Sequence, residues 1–142
     1  MQQTTLLNTP INLIIFDCDG VLIDSETLSK RVLLDLLSEL NVTVSSDYFE
    51  HHFLGRSFEH VSAKILEDFE VALPVKFREN YHQALMQTFN TELKPTIELE
   101  KMLAQLNIPY CVATSSSVAR VKHALTVTDL MPYFSGRIFT CC

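Results

Sequence analysis

Over 142 residues the chain carries a formal net charge of −6 and is 47% hydrophobic, long enough and apolar enough for a packed core and not a disordered polypeptide. The acidic balance, with no cluster of Lys and Arg, argues against nucleic acid and anionic membrane as partners. No apolar run approaches the ~18 residues of a membrane helix, and MQQTTLLNTP at the start lacks the basic region of a secretory signal, so a cytoplasmic protein is expected.

Residues 11–16 (INLIIF) form a continuous apolar run of strand length, the pattern of a parallel strand buried on both faces. A helical block follows. From Ser25, the residues Leu28, Val32, Leu33, Leu36 and Leu40 recur at helical spacing, and Asn41 suits a stop. Ser46 or Asp47 opens a short helix to about Phe53, LGRS is a loop, and Ser57 caps a helix with Phe58, Val61, Ile65, Leu66 and Phe69 on its apolar stripe. Pro74 punctuates, and Phe77, Tyr81, Leu85 and Phe89 mark a fourth helix. After Pro95 the pattern changes. Thr96 can cap a helix to about Leu106, Asn107-Ile108-Pro109 reads as a turn, and YCVAT (110–114) as a second short strand. Ser116 or Ser117 can cap a helix to about Leu125, and GRIFT (136–140) reads as a third strand.

The predicted organisation is therefore an α/β domain, a Rossmann-like parallel sheet core over 1–23 and 91–142, with an inserted four-helix cap domain over 24–90. Open parallel sheets bind ligands outside the carboxyl ends of their strands. Asp17 and Asp19 follow the first strand, and Thr114-Ser115-Ser116-Ser117 follow the second, so the two segments should meet at one sheet edge. Two adjacent carboxylates repel unless something positive lies between them. Mg²⁺ does this, held by one or two carboxylates together with phosphate oxygens. Hydroxyls and helix N-terminal N–H groups suit the phosphate, and a carboxylate can itself be the nucleophile of phosphoryl transfer.

Other readings of these residues are weaker. DCDG hints at a calcium loop, but with Asp17 as position one the glycine and glutamate positions fall on Leu22 and Leu28. The four cysteines form no CxxC, which speaks against zinc and thioredoxin chemistry and for free thiols, and the five histidines show no ligand spacing.

FDCDGVLIDSE resembles the first signature of the haloacid dehalogenase superfamily, and CVATSSS its second, a hydrophobic strand ending in Thr or Ser. The helical insertion between them is similar to the cap of the β-phosphoglucomutase-like branch, which includes many sugar-phosphate phosphatases. By that resemblance Asp17 would be the nucleophile and Asp19 the general acid and base. The Asp17 carboxylate and the Asp19 backbone carbonyl would bind Mg²⁺. Thr114 and the Ser115 backbone N–H would hold the phosphate, with Ser116 a further phosphate or substrate contact. Gly55 and Arg56 match the cap's specificity loop, where glycine permits close approach and arginine can clamp a second anionic group on the substrate.

By the same resemblance, in which the dehalogenases lack the second aspartate, Asp19 implies phosphate esters and not dehalogenation. The expected activity is Mg²⁺-dependent hydrolysis of a small phosphorylated metabolite, with a phosphosugar mutase as the alternative. The superfamily's third signature, a lysine, and its fourth, an acidic pair, have no counterpart here. Lys122 lies on the helix after the Thr/Ser cluster and Asp129 in a connector. The chain thus reads as the N-terminal portion of such a phosphatase, or as a phosphate-binding remnant. By itself it is expected to be inactive and to self-associate through an exposed sheet edge.

Overall fold

The structure, a computed structural model, describes residues 10–141. Cys142 and the segment read as lacking a signal (1–9) lie outside the described residues. In chain order the elements are β1 (Ile14–Phe16), α1 (Glu26–Glu39), α2 (Ser46–His52), α3 (Phe58–Phe69), α4 (Phe77–Glu92), α5 (Leu99–Gln105), β2 (Tyr110–Thr114), α6 (Val118–Val127), α7 (Met131–Phe134) and β3 (Ile138–Thr140). They separate into two compact units, Met1–Asp24 with Lys94–Cys142, and Ser25–Leu93. No helix among the described residues is long and apolar enough to cross a membrane.

The first unit holds a parallel sheet of order β1-β2-β3, in register Phe16↔Val112 and Val112↔Ile138. One face packs on α7. The Phe134 ring, fully buried, meets Phe16 and Tyr110 edge-on at 6.2 and 5.5 Å between centroids. On the other face Ile15 and Phe139 are 62% and 60% exposed. This corrects the expectation of a strand buried on both faces: at Ile15 that side of β1 is open, although its partner Cys111 is buried. β1 is also shorter than residues 11–16. Its ladder begins where the Ile14 N–H reaches the Pro109 carbonyl, and the turn at Asn107–Pro109 leaves nothing further upstream to pair with.

After β1 the chain coils tightly. The Val21 and Leu22 N–H groups both donate to the Cys18 carbonyl, at 3.2 and 2.9 Å, and Gly20 takes φ +76°, a conformation glycine supplies without strain. The coil buries Leu22 and Ile23 completely and returns the chain toward Pro95, where Ile23 forms an antiparallel bridge and the Asp24 N–H donates to the Lys94 carbonyl at 3.0 Å. Thr96 does not cap α5. Its hydroxyl donates to the Val21 carbonyl and its N–H to Leu22, so the helix starts later, after Glu98.

The second unit is the four-helix bundle α1–α4, closed around Leu37, Val42, Phe49, Phe53, Val61, Ile65 and Phe77. Each fully buried side chain of this size contributes about 1.5–3 kcal/mol of transfer free energy. Ser57 caps α3 as its sequence position suggests, accepting the His60 N–H at 3.2 Å. α2 is capped by Ser45, one residue before the expected start, accepting from the Tyr48 N–H at 3.1 Å. Asn41 ends α1 at φ +59°, which its short polar side chain tolerates.

Candidate active site

The parallel register sets the ends of β1 and β2 side by side, and the chemistry-bearing residues follow directly from those ends. Asp17, Thr114 and Ser115 line one open groove of about 410 Å³ together with Ala113, Phe139, Thr140 and Cys141. Asp17 is exposed. Its Oδ1 accepts the Cys18 N–H at 2.8 Å, which fixes the carboxylate and leaves Oδ2 with no hydrogen-bond partner among the described residues.

Asp19 turns the other way. Its Oδ2 accepts the Ser116 hydroxyl at 2.9 Å, and its Oδ1 faces the Arg120 guanidinium at 3.3 Å. Thr114 is buried, and its Oγ1 accepts the Ser116 backbone N–H at 3.1 Å. Ser117 is the residue that caps α6, accepting the Arg120 N–H at 3.3 Å, so Ser116 is released from capping and its hydroxyl serves Asp19. Cys18, between the aspartates, is fully buried. Burial first, then the charges of Asp19 and Asp17, push its thiol up to about 12, so it stays a neutral packed group.

Asp17, Asp19, Thr114, Ser115 and Ser116 therefore fall at the adjoining ends of two neighbouring strands. Gly55 and Arg56 belong to the helical unit. Gly55 has φ +70° and open space where a Cβ would stand, so it is the backbone conformation that calls for glycine. Arg56 is exposed, and its side chain has no partner among the described residues. Two further residues border the strand-end cluster: Arg120, on Asp19, and Cys141, whose Sγ stands 4.0 Å from the Ser115 carbonyl oxygen. A basic residue in the first turn of a helix, where the dipole disfavours it, was the available signal for Arg120; nothing in the pattern marked Cys141.

The donor set suits a hard cation. Asp17 keeps one carboxylate oxygen unengaged, and Asp19 stands two residues away. Mg²⁺ takes one or two protein carboxylates and fills its shell with water and phosphate oxygens. Among the described residues no three His, Cys, Asp or Glu converge, so the aspartate pair is what these residues would contribute.

Residues 14–140 match the model of the haloacid dehalogenase-like hydrolases. The 6-phosphogluconate phosphatase of Escherichia coli (strain K12) is 23% identical over 131 residues, covering 92% of this chain and 59% of its own length. A crystal structure of a conserved haloacid dehalogenase-like protein of unknown function from Agrobacterium tumefaciens superposes with a TM-score of 0.82 at 28% identity, over 92% of this chain and 59% of that one. A candidate beta-phosphoglucomutase from Thermotoga maritima superposes at 0.71 with 22% identity, over 92% and 61%. The chain thus spans about three-fifths of the length of these relatives. With the match running from β1 through β3 and the acidic pair and Thr/Ser cluster at adjoining strand ends, the chain belongs to the haloacid dehalogenase-like hydrolase family.

Proposed function

We propose that this chain carries the nucleophile and the phosphate cradle of a Mg²⁺-dependent phosphatase acting on small phosphorylated metabolites, sugar phosphates foremost. The observation that carries the reading is Asp17, one carboxylate oxygen unengaged, sharing a groove with Thr114 and Ser115 at the carboxyl ends of parallel strands. The E. coli relative is a phosphatase of a sugar-acid phosphate, which fits that substrate class. A cytoplasmic setting accords with the free thiols of Cys18, Cys111 and Cys141.

In this reading Asp17 attacks phosphorus, the bond from phosphorus to the ester oxygen breaks, and Asp19 gives that oxygen its proton. Water then attacks the aspartyl-phosphate with its proton passing to Asp19, releasing inorganic phosphate and restoring the Asp17 carboxylate. The Thr114 hydroxyl and the Ser115 N–H hold the phosphate oxygens through both steps. The Asp17 carboxylate and the Asp19 backbone carbonyl would hold Mg²⁺, which would supply positive charge against that of nucleophile and phosphate. Arg56 is the candidate contact for a second anionic group on the substrate.

In the intact protein Asp17→Asn should lower hydrolysis of small phosphate esters by at least about 10³-fold, because the covalent step is lost. Thermal stability should stay within a few degrees of wild type. Near-normal turnover in this variant would overturn the assignment of Asp17. Transfer of the phosphoryl group to a second sugar hydroxyl instead of water would mark a mutase.

A further inference from the structure

Arg120 is oddly placed for stability alone. It sits in the first turn of α6, three residues after the Ser117 cap, where backbone N–H groups already carry partial positive charge and a cation is disfavoured. No acidic residue occupies that turn. Its guanidinium reaches across 101 residues of sequence to the Asp19 carboxylate, whose other oxygen is held by Ser116 just before the same helix. Side-chain exposures of 23% and 31% put the ion pair in partial contact with solvent, where its contribution to stability is modest. A modest pair, at a place the helix dipole disfavours, points to a role besides stability.

We infer that Arg120 is a positioning residue for Asp19, holding the proposed acid–base carboxylate at the entrance of α6 beside the Thr114–Ser116 phosphate loop; this rests on the phosphatase reading above. Two donors from one helix start, Ser116 Oγ on Oδ2 and Arg120 on Oδ1, grip the carboxylate at both oxygens. A group held at two points loses the rotation that would otherwise carry it out of line with the leaving oxygen, and small misplacements of catalytic groups are expensive in rate. Arg120 itself need not touch substrate.

The test is made in the intact protein with Arg120→Gln, Arg120→Lys, Asp19→Asn and the Asp19→Asn/Arg120→Gln pair. Arg120→Gln should lower kcat for a small phosphate ester on the order of tenfold with KM within about twofold, and Arg120→Lys should recover part of the loss. Inhibition by inorganic phosphate should be unchanged. Independently of turnover, the shifts in Tm of the two single variants should fail to add in the double variant. Unchanged kcat, or weakened phosphate inhibition with kcat intact, overturns the positioning role. Additive Tm shifts overturn the contact itself. A wild-type protein without turnover on any phosphate ester would sink the phosphatase reading. Coupled Tm shifts in such a protein would leave a structural ion pair and overturn the positioning role as well.

Discussion

The backbone N–H of Ser116 donates to Thr114 Oγ1 over 3.1 Å. Because the oxygen accepts on that side, the hydroxyl proton of the buried Thr114 is left to donate to an oxyanion in the groove. Thr114→Val keeps the shape and β-branching but removes both functions. It should lower kcat/KM for a phosphate ester about 10- to 100-fold, the size of one charge-assisted hydrogen bond, and lower Tm by leaving the Ser116 N–H without its acceptor. Thr114→Ser should retain most activity. Steady-state kinetics of the two variants decide the point, and a fully active valine variant would remove Thr114 from the phosphate cradle.

Arg56 presents its guanidinium to solvent beside a glycine held at φ +70°. If it clamps a second anionic group, Arg56→Ala should raise KM for a sugar phosphate bearing a carboxylate or second phosphate about tenfold or more. KM for a neutral aryl phosphate should barely move. Equal effects on both substrates would make Arg56 an ordinary surface residue.

Legibility in the sequence followed the range of the interactions. YCVAT gave β2 to the residue, and Ser57 gave the start of α3, because a short apolar β-branched run and a cap three residues from its donor are local events. Thr96 misled because its hydroxyl is claimed by Val21, a partner 75 residues away that outcompetes the local N–H groups. The four-residue α7, with proline in its first turn, is too short for a helical period to show. The one-sided burial of β1 was illegible, since an apolar run reads alike whether one face is covered or both. At the site the DxD and TSSS segments were legible by type and spacing, whereas the grip of Arg120 on Asp19 joins residues that no window spans.

In the helical unit the Tyr48 hydroxyl donates to Asp68, which also pairs with Lys64 at 3.2 Å. The Tyr48 hydrogen bond first, and Lys64 second, hold the Asp68 carboxyl below its usual 3.8. A lowered folded value stabilises above the unfolded value and loses that contribution as pH falls through the folded one. Asp68→Asn should therefore be slightly less stable than wild type near neutral pH, and the deficit should shrink as pH falls below 3.8. The Tyr48 hydroxyl moves oppositely, raised from 10.0 to about 12 by burial and then by Asp68, so its contribution is whole below 10.0 and lost as pH rises toward 12. Tm against pH for the two proteins tests this; a deficit unchanged between neutral and acid pH would show that Asp68 acts without its charge.

Ile15 on β1 and Phe139 on β3 stand more than half exposed on the same uncovered side of the sheet, and among the described residues β1 pairs with β2 alone. Ile11 and Leu13, exposed at 68% and 51%, extend the apolar surface along the approach to that free edge. An unpaired strand edge offers a template for another chain, and contiguous apolar surface of this kind seeks cover. A polypeptide of these 142 residues expressed alone should therefore elute from size exclusion ahead of a 16.2 kDa monomer and bind the dye ANS. Ile15→Lys and Phe139→Lys each set a charge on the open face of a strand that pairs with β2 alone among the described residues, and each should shift elution toward the monomer and reduce dye binding. A dye-silent monomer would show that this sheet is closed in a way the uncovered face of Ile15 and Phe139 does not allow.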